Sequence, residues 1–195
     1  MQLRRHDVLS GAIAILDEYG LGDLTMRRLG AALGVQAGAL YWHFPNKQSL
    51  LAAITDEMLA PVADDAGDGS DAWDDRLRTL ARRMRDGLLA HRDGAEVATA
   101  SYAARLASDA PRRAMAAAFA EGGLPPQESA MAARALFSFV LGQTMDEQSR
   151  MQMDSHGALD PSESPLFESP SATDYFEYGL GLFTDGVRSR LSGRR

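Results

Sequence analysis

The side chains best suited to chemistry in this chain gather between Thr25 and Lys47. A hydroxyl (Thr25), a guanidinium (Arg27), an amide (Gln36), a Tyr41-Trp42-His43 run and an ammonium (Lys47) stand there among mostly small and aliphatic residues. Hydroxyl, ammonium and guanidinium groups donate to phosphate oxygens, and a guanidinium or an amide can bond a base edge through two atoms at once. Catalytic sets are scarce by comparison. Cysteine is absent, and no glutamate is followed three residues later by histidine, so the ligands of a di-iron helical bundle are missing. His6 and His156 have no partner in the pattern, His91-Arg92-Asp93 reads as a helix-end cap and ion pair, and the adjacent Asp146-Glu147 would point to different sides of a helix. An enzyme, a cofactor and a bound metal are therefore not expected.

Positioning such groups on a duplex needs a rigid frame. Val8, Leu9, Ala12, Ile13, Leu16 and Tyr19 recur at helical spacing and predict a first amphipathic helix stopped by Gly20. Thr25 is the expected N-cap of a second helix with Leu29, Ala32 and Leu33 on its apolar face. Gly34 supplies the left-handed backbone of a tight turn, and Val35 and Leu40 plug the joint from a short third helix. Helix, glycine turn and short helix with an aromatic outer face suit a helix-turn-helix whose third helix enters the major groove. A filler between helices is the competing reading for Trp42. Pro45 breaks the chain, Asn46 caps, and a fourth helix carries Leu50, Leu51, Ile54 and Met58.

Charge limits the partner. The formal net charge is −7, which excludes a protein that coats nucleic acid by charge alone. Arg4, Arg5, Arg27, Arg28 and Lys47 form a small basic set against Asp7, Asp17, Glu18, Asp23, Asp56 and Glu57 in the first sixty residues, so a local patch must do any DNA binding. No apolar run reaches the roughly 18 residues of a membrane span and no leader-like segment precedes the first helix, which predicts a cytoplasmic protein without a membrane partner.

Pro61 and the acidic run 63–71 mark a boundary. Beyond it, Trp73, Leu77, Leu80, Met84 and Leu88 predict a fifth helix over 72–89. Shorter helices follow at 95–107 and 111–120, a long one at 127–150, an acidic, Pro- and Ser-rich loop at 154–171, and a last helix at 172–191. No strand pattern or repeat is present, and the fold class is all-α. Gly179 and Gly186 lie on one stripe of the last helix. Glycine inside a helix costs up to about 1 kcal/mol against alanine, so a close neighbouring backbone is expected there, and with the 127–150 helix this suggests a four-helix interface between two copies.

Thr25–Phe44 followed by Asn46-Lys47 resembles the tetracycline-repressor family of one-component regulators. The 72–95 stretch with His91-Arg92-Asp93-Gly94, Leu141-Gly142 with Asp146-Glu147-Gln148, and Tyr178-Gly179-Leu180 with Gly186 extend the resemblance to that family's tetracycline-sensing branch. The resemblance implies phosphate contacts at Thr25 and Lys47, a guanine-reading Arg27, and backbone and thymine-methyl contacts at Tyr41, Trp42 and His43. The sequence departs where that branch has a glutamine, a proline and a threonine, since Ala37, Gly38 and Ala39 stand there. A different operator follows, with Gln36 assigned to adenine.

The resemblance further implies a homodimer on a palindromic double-stranded operator. Residues 1–47 would form the DNA-binding domain, 47–60 the connector helix, and 61–195 the ligand-binding and dimerisation domain. A ligand beside the fifth helix would tilt the connector. The positions that grip tetracycline and magnesium in that branch appear here as Ala63, Leu80, Ala98 and Ala114, with polarity kept only at Ser101 and Asp146, so tetracycline–magnesium is not the expected effector. Leu80, Met84, Ala98, Tyr102, Leu106, Met115 and Phe139 suit a mostly apolar small molecule anchored by Ser101 and Tyr102. Such stripes also serve as ordinary core, and a DNA-binding regulator without a ligand is the alternative.

Overall fold

The computed structural model describes residues 3–65 and 72–193, and all regular structure among them is helical. From residue 66 on, the acidic boundary run lies outside the described residues. The chain divides into two units, Met1–Ala60 with Asp86–Ser108, and Pro61–Arg85 with Asp109–Arg195.

In the first unit, α1 (Arg5–Tyr19) buries Val8, Leu9, Ala12, Ile15 and Leu16 and ends at Gly20, whose φ of 85° suits glycine. Ile15 takes the inward place expected of Ile13. Tyr19, expected on the apolar face, is exposed, with the Arg28 guanidinium 3.8 Å above its ring. Helix α2 (Met26–Ala32) starts at Thr25, whose Oγ1 accepts the Arg28 N–H at 3.1 Å. Its buried side chains are Met26 and Leu29, while Ala32 is exposed and Leu33 half-buried. Gly30 lets the chain after α2 pass close, because a Cβ there would lie 2.9 Å from the Val35 carbonyl oxygen. Gly34 turns the chain at φ 68° into α3 (Ala37–Leu40).

The Asn46–Ser49 capping box opens α4 (Lys47–Met58), with Ser49 N–H donating to Asn46 Oδ1 at 2.8 Å. Helix α4 ends before the short α5 (Ala60–Ala63). One unit boundary falls between Ala60 and Pro61. Residues 86–108, however, belong to the N-terminal unit, because α7 (Gly94–Ala103) packs along α4, where Thr55 and Ser101 hydroxyls meet at 3.0 Å.

The second unit takes most of α6 (Trp73–Leu89), then α8 (Ala110–Glu121), α9 (Pro126–Ser155) and α10 (Ala172–Ser192). Leu77, Leu80, Met84, Met115, Phe119, Leu136, Val140, Phe176 and Leu180 are sealed in its core. Arginines on α6 reach carboxylates on other elements. Arg82 grips Glu177 through Nε at 2.7 Å and Nη2 at 2.8 Å, and Arg85 grips Glu147 at 2.9 and 2.6 Å. Arg76 binds both Asp65 and Glu121. Helix α9 runs five residues past its expected end, and within the expected loop Pro161–Glu163 forms a 3-10 turn whose Glu163 carbonyl accepts from Arg150 at 3.0 Å. Gly179 corrects one expectation: its neighbour is a ring rather than a backbone, since a Cβ there would lie 2.6 Å from Phe139 Cε2.

Candidate nucleic-acid interface

The outward aromatic tip follows from the pitch of one short turn. Leu40 and Phe44 are sealed at 0% and 1% exposure, and the N–H groups of His43 and Phe44 both donate to the Leu40 carbonyl at 2.9 Å. The residues between them must therefore face away. Tyr41 is 49% exposed, Trp42 is 91% exposed and His43 is half-buried. The plug reading of Trp42 is thereby excluded. An indole in water forgoes roughly 25 cal/mol per Å² of apolar burial, so something other than this unit's core accounts for it.

On α3 and its entry, Gln36 and Gly38 are exposed, and Ala37 and Ala39 are half-buried. The face is low and nearly featureless beside the tall Tyr41-Trp42 tip. Thr25 and Arg27 are exposed. With Gly22, Asp23, Arg28 and Ala31 they line a shallow recess of about 350 Å³. Arg28, read from sequence with the basic patch, is engaged at the surface, bridging Asp23 and stacking on Tyr19. Lys47 is half-buried and its Nζ donates to the Leu21 carbonyl at 3.2 Å. Arg5 lies 4.5 Å over the Phe44 ring.

The expected ligand contacts fall in both units. Ala98, Ser101 and Tyr102 lie on α7, and Leu80, Met84, Met115 and Phe139 lie on α6, α8 and α9. Leu80, Met84, Ala98 and Met115 are wholly buried. Both expected polar anchors already have partners, since Ser101 Oγ donates to the Val97 carbonyl at 2.8 Å and Tyr102 OH to the Ser108 carbonyl at 3.1 Å. Phe139 packs against Phe176 and Phe183, with ring centres 5.9 and 5.3 Å away. Leu106 lies beyond α7 and is half exposed.

A separate apolar groove of about 420 Å³ opens between α9 and α10, lined by Leu124, Met131, Ala135, Leu182, Phe183 and Gly186, with Glu128 and Arg190 beside them. It contains none of the expected ligand residues. Among the described residues, no three histidines, aspartates or glutamates converge as a metal site, and no helix is long and apolar enough to cross a membrane.

Sequence reasoning missed the frame around the reader. Leu21 N–H donates to Asp93 Oδ2 at 2.7 Å, and His91 Nδ1 lies 3.1 Å from both Asp17 carboxylate oxygens. At the His91-Arg92-Asp93 run, expected as a helix-end cap and ion pair, the contacts include a His91–Asp17 hydrogen bond and a bond from Arg92 Nη1 to the Glu18 carbonyl. As N-cap of α7, Asp93 makes no side-chain capping bond to that helix. A conspicuous His-Arg-Asp run before Gly94 was the available signal, but nothing in the sequence named its partner.

Residues 8–54 match a family model described as bacterial regulatory proteins, tetR family, and residues 66–191 match the tetracyclin repressor-like C-terminal domain. Tetracycline repressor protein class A from transposon 1721 of Escherichia coli is 32% identical over 209 residues, covering 97% of this chain and 92% of that protein. The crystal structure of Mycobacterium smegmatis BioQ superposes with a TM-score of 0.85 at 39% identity, covering 96% of this chain and 99% of that one. A structure of BioQ with its natural double-stranded DNA operator gives a TM-score of 0.78 at 37% identity, over 95% and 98% of the two chains.

Proposed function

The chain belongs to the tetR family of bacterial regulatory proteins, and from that premise we propose a one-component repressor that grips a palindromic operator as a homodimer in the cytoplasm and releases it when a small, mostly apolar molecule binds. The observation that carries the DNA-binding reading is Trp42, 91% exposed between two sealed anchors. Around it, Tyr41 and His43 seat the third helix against backbone and thymine methyls. Arg27 pairs with guanine, Gln36 with adenine, Thr25 and Lys47 with phosphates, and Ala37, Gly38 and Ala39 allow a close, mostly apolar approach. Residues 1–47 are the reader, 47–60 the connector and 61–195 the ligand-binding and dimerisation domain.

Support for the homodimer comes from the second unit. Met131 and Leu182 are each 58% exposed along the apolar groove, and a Cβ added at Gly142, Gly181 or Gly186 would meet nothing within 4 Å. Helical glycines that the chain's own packing does not require suit close approach by a second copy, and two-fold pairing of readers matches a palindrome.

Leu80, Met84, Ala98, Ser101, Tyr102, Met115 and Phe139 are the candidate effector contacts. Alanine or leucine at 63, 80, 98 and 114 supports an effector other than tetracycline–magnesium. A ligand acts by preferring the conformer that does not hold DNA, and DNA must weaken ligand binding by the same factor. The satisfied hydroxyls of Ser101 and Tyr102 favour a second reading, a DNA-binding regulator with no small-molecule effector. Thermal-shift screening with apolar compounds, followed by operator release, separates the two. Tight binders that change DNA affinity support the first, and tight binders that leave it unaltered refute the effector mechanism.

A further inference from the structure

The backbone of Leu21, in the turn that delivers α2, is held on both sides. Its N–H donates to Asp93 Oδ2 at 2.7 Å, and its carbonyl accepts from Lys47 Nζ at 3.2 Å. The residues before Asp93 fasten the end of α1. Arg92 N–H donates to Asp17 Oδ1 and Arg92 Nη1 to the Glu18 carbonyl, both at 3.3 Å, and His91 faces the Asp17 carboxylate at 3.1 Å. Gly20 leaves the space this needs, for a Cβ there would lie 2.8 Å from Asp93 Oδ2 and 3.1 Å from Arg92 Nε.

Asp93 itself sits at φ 57°, in the left-handed region that ordinary side chains avoid but aspartate, asparagine and glycine tolerate. An aspartate in the N-cap position ordinarily bonds its own helix. Here its carboxylate reaches a peptide 72 residues earlier in the chain.

We propose that Asp93 is a positioning residue for DNA binding, holding the α1–α2 turn so that Thr25 and Arg27 meet the duplex in register. The assignment rests on the regulator reading above. An anionic carboxylate would repel a phosphate, so Asp93 acts through Leu21 rather than by touching DNA.

Two variants separate the bond from the backbone. Asp93→Gly keeps the left-handed conformation without an acceptor, and Asp93→Asn keeps both. The full-length wild type first selects its preferred duplex from a randomised pool. Affinities for that duplex are then measured across a salt series, alongside amide exchange at residues 21–24. In D93G we expect faster exchange at these amides with the α1 core unchanged. Binding should weaken about tenfold, the scale of one lost charge-assisted hydrogen bond. The salt slope should stay unaltered, whereas loss of a single phosphate contact lowers it by about one. D93N should remain within about threefold of wild type.

Wild-type affinity and Leu21 protection in D93G would overturn the proposal, as would a fall in salt slope of about one, the mark of a lost phosphate contact. A wild type that enriches no duplex contradicts the regulator reading instead, and the exchange comparison still decides whether Asp93 holds the turn.

Discussion

Arg27 and Arg28 are neighbours of one residue type with separate work. Arg27 stands exposed beside the N-cap threonine, while Arg28 is held between the Asp23 carboxylate and the Tyr19 ring. Replacing Arg27 with alanine should weaken operator binding by about 1–3 kcal/mol and relax preference at one base position, with thermal stability unchanged. Arg28→Ala should instead lower the melting temperature, because it loosens the joint between α1 and α2. Denaturation and fluorescence anisotropy on both variants check the division.

The reader's motif was legible because residue type and spacing carried it: Thr25 caps, Gly34 turns, and Leu40 with Phe44 force Tyr41 and Trp42 outward. The pairing of Arg28 with Asp23 and Tyr19 and the reach of Asp93 to Leu21 were not legible. Both depend on tertiary partners that local pattern does not encode.

At the scale of elements, helix order followed the sequence although α9 overran its expected end and Tyr19 and Ala32 left the expected buried face, whereas glycines divided in a way that only packing reveals. Gly179 receives the Phe139 ring, so Gly179→Ala should overpack the α9–α10 joint and destabilise by about 1–3 kcal/mol in chemical denaturation. Gly181 has open space at its Cβ position. Gly181→Ala should leave the fold intact or firmer while weakening self-association, which sedimentation velocity would register as a rise in monomer.

Charge pairing between α6 and α10 adds a pH signature. The Arg82 guanidinium bonded to Glu177 holds that carboxyl below its ordinary range, despite partial desolvation acting the other way. A depressed folded-state pKa stabilises the fold at pH values above the unfolded carboxyl's titration, and that contribution disappears as pH falls through the folded value. Glu177→Gln should therefore flatten the acid limb of a melting-temperature profile, with little effect on its alkaline side. The pair is partly exposed, so the change is modest and shrinks with added salt.

For the whole molecule, a net charge of −7 carried mostly outside the first sixty residues leaves DNA binding to a local patch and a protruding tip. One reader of this size gives modest affinity, and two in fixed register give a palindrome. Fold class and element order were plain from hydrophobic periodicity. Assignment of residues 86–108 to the N-terminal unit was not, because small residues such as Ala95, Ala98 and Ser101 mark a packing face without naming its partner.

The measurement that tests the central claim most directly is the mass and affinity of complexes formed by full-length protein with duplexes selected from a randomised pool, compared with Trp42→Ala. The account predicts two chains on a two-fold-symmetric duplex, with Trp42→Ala binding at least about tenfold more weakly at undiminished thermal stability. Selection that yields no common sequence, or a Trp42→Ala protein that binds the selected duplex as tightly as wild type, would contradict it.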